Sequence, residues 1–298
     1  MFSKIPITKS TENYSDKIQQ AKAMIDQADG LVVGVGSGLS AAGGLNYADS
    51  RLVEKWYPEY YSMGLKSIID IMANYWPTTA SQQPERFWGF WAKHIYHIRY
   101  EPDATQPYCD LFKLIGKKEH FIVTTNVDGQ LEKAGFQRDR IFSPQGDYAL
   151  FQCQRHCCEK VYDNRKAIET MIEYMPNPFE IRTEDIPKCS CGAYLIPNLR
   201  CDDQFVEAPH MRNMDDYSQF INSRYQQKLV FLELGVGFNT PGIIRFPFEQ
   251  MTRTLPNAML IRINNTDIRT VEKIGDKAIC FIEDLSRILH EMLNGTPL

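Results

Sequence analysis

The chain has 298 residues, with 33 Lys+Arg against 37 Asp+Glu and a formal net charge of −4. Apolar residues at 43% and charged residues at 23% lie near the globular average, which excludes a disordered chain, a collagen-like repeat and a long coiled coil. The mild acidity speaks against a surface built to grip nucleic-acid phosphates, and no apolar run reaches the ~18–20 residues of a membrane helix.

Met1-Phe2-Ser3-Lys4-Ile5 leads into polar sequence without the apolar stretch of a secretion signal, so a soluble cytoplasmic protein is expected. Ser15 reads as the N-cap of a helix in which Ile18, Ala21, Ile25 and Ala28 recur until Gly30. Leu31-Val32-Val33 is a strand-like run, and Gly34-Val35-Gly36-Ser37-Gly38 follows at once, then Ser40, Ala41 and Ala42. Strand, glycine loop and small residues open a nucleotide-binding β-α unit, because glycines let the backbone approach a pyrophosphate at a helix N-terminus. Ala41 stands where the fingerprint G-x-G-x-x-G needs its third glycine, and a tight structural turn explains the loop almost as well.

The stretch 49–100 reads as helical and aromatic. Phe87, Trp88, Trp91, Ile95 and Ile98 share one helix face behind Pro84. Trp56, Tyr57, Tyr60, Tyr61, Tyr75, Trp76 and Phe90 crowd the same segment, which predicts an aromatic core under a helical lobe in preference to a substrate-gripping wall. Alternation then resumes: helix over 108–115, buried strand over 120–124, short strand at 141–142. A break over 151–210 precedes a helix over 215–227. Strands over 229–232, 258–263 and 278–282 follow, and Leu285, Ile288, Leu289 and Met292 close the chain as an amphipathic helix. The expected fold is α/β, one domain over 1–298, with a Rossmann-like parallel sheet and helices on both faces. Its core takes 11–48, 101–150 and 211–298. A small lobe takes a helical insertion, 49–100, and a zinc-binding insertion, 151–210.

Three motifs carry chemistry. Thr124-Thr125-Asn126-Val127-Asp128-Gly129 ends a predicted buried strand, where open α/β sheets bind ligands, so Asn126 and Asp128 can hold ribose hydroxyls; a polar turn capping the next helix is an equal reading. Gln145, in Ser143-Pro144-Gln145-Gly146-Asp147, can donate and accept hydrogen bonds but cannot take a proton near neutral pH. Cys153-x-x-x-Cys157 and Cys189-x-Cys191 supply four thiolates for a closed, structural tetrahedral zinc, with Cys158, His156 and Cys201 as possible substitutes. Cys109 and Cys280 stand apart.

Taken in order, these motifs resemble the sirtuin family from about residue 15 to the C-terminus. Gly36-Ser37-Gly38-Leu39-Ser40-Ala41-Ala42-Gly43-Gly44-Leu45 is similar to its G-A-G-I-S-x-x-x-G-I loop. Thr125-Asn126-Val127-Asp128-Gly129 is similar to its T-Q-N-x-D-G, with Ala134-Gly135 as the A-G after it. Cys189-Ser190-Cys191-Gly192-Ala193-Tyr194-Leu195-Ile196-Pro197 resembles the second zinc knuckle and the R-P beyond. Gly235-Val236-Gly237 stands where the family has G-T-S, and Ile263-Asn264-Asn265-Thr266 resembles I-N-x-x-x-T. The resemblance implies NAD as cosubstrate, held by Gly36, Ser37, Gly38, Leu39, Ser40, Thr125, Asn126, Asp128, Gly235, Val236, Gly237, Asn264 and Asn265.

The departures point to a subgroup. Asn46-Tyr47-Ala48-Asp49 replaces P-D-F-R, and Gln145 replaces the histidine of the family's H-G. Gln145-Gly146-Asp147-Tyr148, the C-x-x-x-C knuckle and Leu234-Gly235-Val236-Gly237 with Thr240-Pro241 are similar to the macrodomain-linked (class M) microbial sirtuins; the second knuckle of that group is commonly C-x-x-C. That resemblance implies protein mono-ADP-ribosylation of a lipoylated carrier such as the glycine cleavage H protein, reversed by a macrodomain protein. Asn126, Asp128 and Gln145 are then the catalytic set. General-base catalysis contributes ~10²–10⁴-fold, so deacylation should suffer from Gln145 while glycosidic cleavage, which needs positioning and charge stabilisation, should not. A deacylase that tolerates glutamine, with Asp147 as a substitute base, is one alternative, although Asp147 reads better as a turn residue. An inactive NAD-binding module and an NAD glycohydrolase are others.

Overall fold

The computed structural model describes residues 14–75, 79–268 and 272–295; Met1 to Ile5 and Trp76 lie outside the described residues. Helix α1 (Tyr14–Gln27) leads into β1 (Gly30–Val35) and the short α2 (Ser37–Ala42). Helices α3 (Ser50–Trp56), α4 (Pro58–Ser62), α5 (Ile68–Asn74), α6 (Thr79–Gln82) and α7 (Pro84–Ile95) follow, and α7 runs on into a π-helical turn, Tyr96–Tyr100. Then come α8 (Gln106–Ile115), β2 (His120–Thr124), α9 (Gln130–Ala134), β3 (Ile141–Phe142), β4 (Gly146–Cys153), β5 (Val161–Asp163), α10 (Arg165–Glu173) and β6 (Leu195–Leu199). The chain ends with α11 (Ala208–Met211), α12 (Met214–Asn222), β7 (Leu229–Leu234), α13 (Arg245–Thr254), β8 (Ala258–Ile263), β9 (Ala278–Phe281) and α14 (Leu285–Asn294). Among the described residues no helix is long and apolar enough to cross a membrane.

Two sheets organise these elements. The first has the order β3-β2-β1-β7-β8-β9 with every pair parallel. Its strands alternate between two cores. Leu31, Val33, Val35, Ile122 and Leu232 face α1, α8 and α14 through Ile18, Ile25, Leu111 and Leu289. Val32, Phe121, Val123 and Phe231 face α12 and α13 through Phe220 and Phe248. Period-two burial on both faces explains why these strands read as continuous apolar runs. The second sheet, β5-β4-β6, is antiparallel. It shares a third core with the helical insertion, in which Trp88, Trp91 and Phe90 pack with Tyr148, Phe151 and Ile196; the rings of Trp88 and Phe151 meet edge-on at 5.0 Å. Two stretches distant in sequence thus form one lobe.

Some elements differ from the sequence expectation. Ser15 lies inside α1, and α12 stops at Asn222. Gly146-Asp147-Tyr148 is strand, not turn, because Gly146 pairs with Leu199 and Asp147 with Asn198 before a register shift. Helix α13 escapes a search for apolar period because Arg245, Glu249 and Thr252 are among its buried positions.

The strand order reverses at β1, between β2 and β7, the switch point where open α/β sheets bind ligands. Two turns touch there. A Cβ at Gly36 would lie 2.5 Å from the Gly235 carbonyl oxygen, and one at Gly38 would lie 2.6 Å from the Gly235 Cα. Gly235 itself has φ +61°, a conformation that favours glycine. Both obstacles are backbone. Gly38→Ala is therefore expected to destabilise the protein by ~1–3 kcal/mol, read as a lower denaturant midpoint with an unchanged slope.

Candidate active site and metal centre

Asn126 leaves the end of β2 with its side-chain amide facing inward. Nδ2 donates to the Gly36 carbonyl at 2.9 Å and lies 3.1 Å from Ser40 Oγ and 2.9 Å from the Tyr108 hydroxyl. The carbonyl at Gly36 only accepts, so the amide cannot be flipped, and Oδ1 is the atom left uncommitted. Ser40 donates to Asp128 Oδ2 at 2.5 Å and lies 2.7 Å from the Tyr108 hydroxyl, and Asp128 Oδ1 accepts from the Gln130 N–H at 3.0 Å. Burial pushes the Asp128 carboxyl up, while Ser40 and the Gln130 N–H pull it partly back. Burial likewise keeps the Tyr108 phenol protonated. Four groups from the glycine loop, α8 and the turn after β2 thus form one hydrogen-bonded cluster. Thr125 ties that turn to β1, its N–H donating to the Val35 carbonyl at 3.1 Å.

Asn126, Asp128, Ser143, Gly146 and Asp147 line one crevice, together with Arg138. Gln145 is half-buried beside it, its carbonyl accepting from the Arg200 N–H at 3.0 Å. Asp147 is occupied otherwise: Arg99 Nε donates to Oδ1 at 3.0 Å, Arg138 Nη1 to Oδ2 at 3.2 Å, and the Ala149 N–H to Oδ1 at 2.8 Å. Two guanidinium groups and a backbone N–H make it an ion-pair anchor, so it does not supply a free base. No histidine lines the crevice. The two buried histidines are held internally: His94 between Tyr57 and Tyr148, His210 against Asn198.

Across the switch point, Gly38 N–H donates to the Gly235 carbonyl at 3.0 Å and Gly36 N–H to the Leu234 carbonyl at 2.9 Å. Ser37 is exposed at the N-terminus of α2, and Leu39 is buried. Asn264 spends its side chain internally, donating to the Val236 carbonyl at 3.0 Å and accepting from the Thr266 hydroxyl at 2.9 Å. It shapes the turn instead of offering a free amide. Asn265 and Gly237 are exposed beside it. Behind them lies a buried ion network: Arg262 contacts Glu233 and Glu249 at 2.8 Å each, and Arg245 reaches Asp267 at 3.5 Å and the Val236 carbonyl at 3.4 Å. Sequence reasoning missed Tyr108, Arg99, Arg138 and Arg245, which lie outside any motif; a charged residue inside an apolar strand, such as Glu233 or Arg262, was the available signal.

The four expected cysteines converge. All their sulfurs lie within 4.8 Å of one another, with Cys153–Cys191 at 3.6 Å and Cys157–Cys189 at 3.5 Å. A tetrahedral zinc with Zn–S bonds near 2.3 Å has sulfur–sulfur edges of ~3.8 Å, so the donor set fits. The Cys191 backbone N–H, with the neighbouring thiols, lowers Cys189 to about 6, favouring a thiolate there. Cys158, His156 and Cys201 lie outside the cluster of four, and His156 pairs with Glu159 at 2.9 Å.

No protein-family profile matches the chain. A protein ADP-ribosyltransferase of Staphylococcus aureus is 29% identical over 286 residues, covering 94% of this chain and 89% of that protein. A probable bifunctional ADP-ribose hydrolase/ADP-ribosyltransferase of Fusarium oxysporum is 29% identical over 258 residues, or 82% of this chain; the chain spans 41% of that protein's length. Among solved structures, Sir2Tm bound to a propionylated peptide aligns with a TM-score of 0.61 at 17% identity, covering 93% of this chain and 97% of the other. A Sir2 homologue–NAD complex aligns at 0.55 and 16% identity, covering 92% of each chain. The fold is that of the Sir2 proteins.

Two outcomes follow for variants. Cys189→Ser is expected to lose bound metal and unfold the small lobe first, checked by metal analysis and by near-UV circular dichroism of its tryptophans. Asp128 has a folded-state pKa above its unfolded value, so its ionisation costs stability as pH rises above the ordinary carboxylate range. Stability of the parent is therefore expected to fall as pH rises through the range in which Asp128 ionises, a fall that Asp128→Asn, which cannot ionise, should lack, read by denaturant unfolding of both at several pH values.

Proposed function

We propose that this chain, a sirtuin-family protein, is an NAD-dependent ADP-ribosyltransferase that modifies a protein in the cytoplasm. The observation that carries the reading is the hydrogen-bonded cluster of Asn126, Ser40, Tyr108 and Asp128 at a crevice that no histidine lines, with Gln145 next to its lining residue Gly146. The Staphylococcus and Fusarium relatives, both named for ADP-ribosyl transfer, support it. NAD takes the switch point. The pyrophosphate lies against the Gly36–Ser40 segment at the start of α2 and against the Gly235-Val236-Gly237 turn. The adenosine end lies towards Asn264 and Asn265, with Asn264 acting by shaping the turn.

The nicotinamide ribose faces Asn126 and Asp128. Asn126 Oδ1 accepts from a ribose hydroxyl and directs a carbonyl dipole at the positive charge that develops on C1′ as the nicotinamide bond breaks. Asp128, screened by Ser40, adds negative potential without sitting free in solvent. The side-chain amide of Gln145 orients the incoming protein nucleophile, which bonds to C1′ and releases its proton to water. Deacylation would need a group to deprotonate a ribose hydroxyl, and neither Gln145 nor the doubly paired Asp147 does so. Zinc, held by Cys153, Cys157, Cys189 and Cys191, braces the lobe; four protein sulfurs leave no position for substrate.

A lipoylated carrier such as the glycine cleavage H protein is the acceptor in this reading, and a macrodomain protein reverses the modification. The paired hydrolase and transferase names of the Fusarium relative support such a cycle. Labelled NAD offered with a lipoylated carrier and, separately, an acetylated peptide tests this. The expected outcome is label on the carrier, lost in Asn126→Ala and reduced ~10-fold or more in Gln145→Ala, with deacylation appearing only in Gln145→His. Peptide deacylation by the parent with no labelled protein would overturn it.

A further inference from the structure

Buried polar side chains that the proposed chemistry does not use gather where the small lobe meets the glycine loop. His94, on α7, is fully buried, stacked on Phe90 at 5.4 Å and edge-on to Tyr47 at 5.2 Å. Its Nδ1 lies 3.1 Å from the Tyr57 hydroxyl and its Nε2 3.0 Å from the Tyr148 hydroxyl. The Tyr47 hydroxyl donates to that of Tyr148 at 3.3 Å. Burial lowers His94 to about 3, so the ring is neutral at physiological pH and has one donor and one acceptor. Tyr47 donates to Tyr148, and the ring bonds Tyr148 through Nε2 and Tyr57 through Nδ1, as donor to one and acceptor from the other.

Tyr148 joins three segments. Its N–H donates to the Val127 carbonyl at 3.0 Å, inside the turn that carries Asn126 and Asp128. It stands three residues after Gln145, on the strand that begins at Gly146. Its hydroxyl holds Tyr47, in the loop that continues from Gly36 through Leu45; the carbonyl of Tyr47 accepts from the Ile68 N–H at 2.9 Å. A ring that stays neutral cannot store a proton for the reaction, but it can fix a geometry.

We propose that His94 is a positioning residue: through Tyr148 and Tyr47 it fastens the glycine loop against the Asn126–Asp128 turn and so sets the affinity of the site for NAD. The affinity half of the proposal rests on the function proposed above; the fastening half does not. Two measurements separate them: amide hydrogen exchange over 36–49 in the ligand-free protein, and KM and kcat for NAD from nicotinamide release. Tyr47→Phe, Tyr148→Phe and His94→Phe are each expected to speed exchange in that segment and raise KM ~3–10-fold, with kcat within about twofold of the parent. Tyr47→Phe and Tyr148→Phe combined should do no more than Tyr148→Phe alone, because the bond lost in Tyr47→Phe is already lost there. His94→Gln, which keeps a donor and an acceptor, should recover part of the loss. If His94→Phe does not fold, Tyr47→Phe still decides, since it removes a single oxygen. Unchanged exchange over 36–49 in Tyr47→Phe overturns the fastening. An unchanged KM, or a loss confined to kcat, overturns the role in NAD affinity. A parent protein that neither binds nor turns over NAD overturns the proposed function, and the exchange data still decide the fastening.

Discussion

Two glycine turns press backbone against backbone at the C-terminal ends of β1 and β7, and the rest of the site takes its position from that contact. With Gly36 and Gly38 packed on Gly235 there is no room for side chains, so the surface offered to a ligand is backbone and small residues. The same contact sets the Gly36 carbonyl where it fixes the orientation of Asn126. Behind the second turn, Arg245 and Asn264 both hold the Val236 carbonyl. Burying the Arg262–Glu233–Glu249 network is costly, yet losing one partner would leave a bare charge in the core, so the network enforces one arrangement of β7, β8 and α13.

The chemistry follows from which protons are available. In the Asn126–Ser40–Tyr108–Asp128 cluster every donor is already committed, and the phenol stays protonated. Asp147, the nearby carboxylate, is neutralised by Arg99 and Arg138. Such a site stabilises positive charge and orients nucleophiles, and its carboxylates, Asp128 and Asp147, are already engaged as acceptors. Cleavage of a glycosidic bond suits it; collapse of an acyl intermediate does not.

Much of this is legible in the sequence, for physical reasons. Parallel strands buried on both faces are unbroken apolar runs, and the glycines of 36–38 and 235–237 mark where they end. Cysteines that share a metal cannot drift apart without losing it, so Cys153, Cys157, Cys189 and Cys191 stand out at any separation. Helix α13 does not stand out, because its buried face is ionic and satisfied by partners on β7 and β8. Asp147 reads as a turn because its ladder partner, Asn198, lies 51 residues on. The aromatic stretch 87–91 announces a core, but not that β4 and β6 complete it. The role of Asn264 is likewise invisible, since the acceptor that claims its amide, the Val236 carbonyl, is backbone.

The most direct measurement is the stoichiometry of a single turnover, with nicotinamide, protein-bound ADP-ribose, free ADP-ribose and acyl-ADP-ribose quantified together in the presence of an acylated acceptor protein. The expected result is one protein-bound ADP-ribose for each nicotinamide released, with the acyl group still in place. Nicotinamide matched by acyl-ADP-ribose, or by free ADP-ribose, would contradict transfer as the purpose of this site.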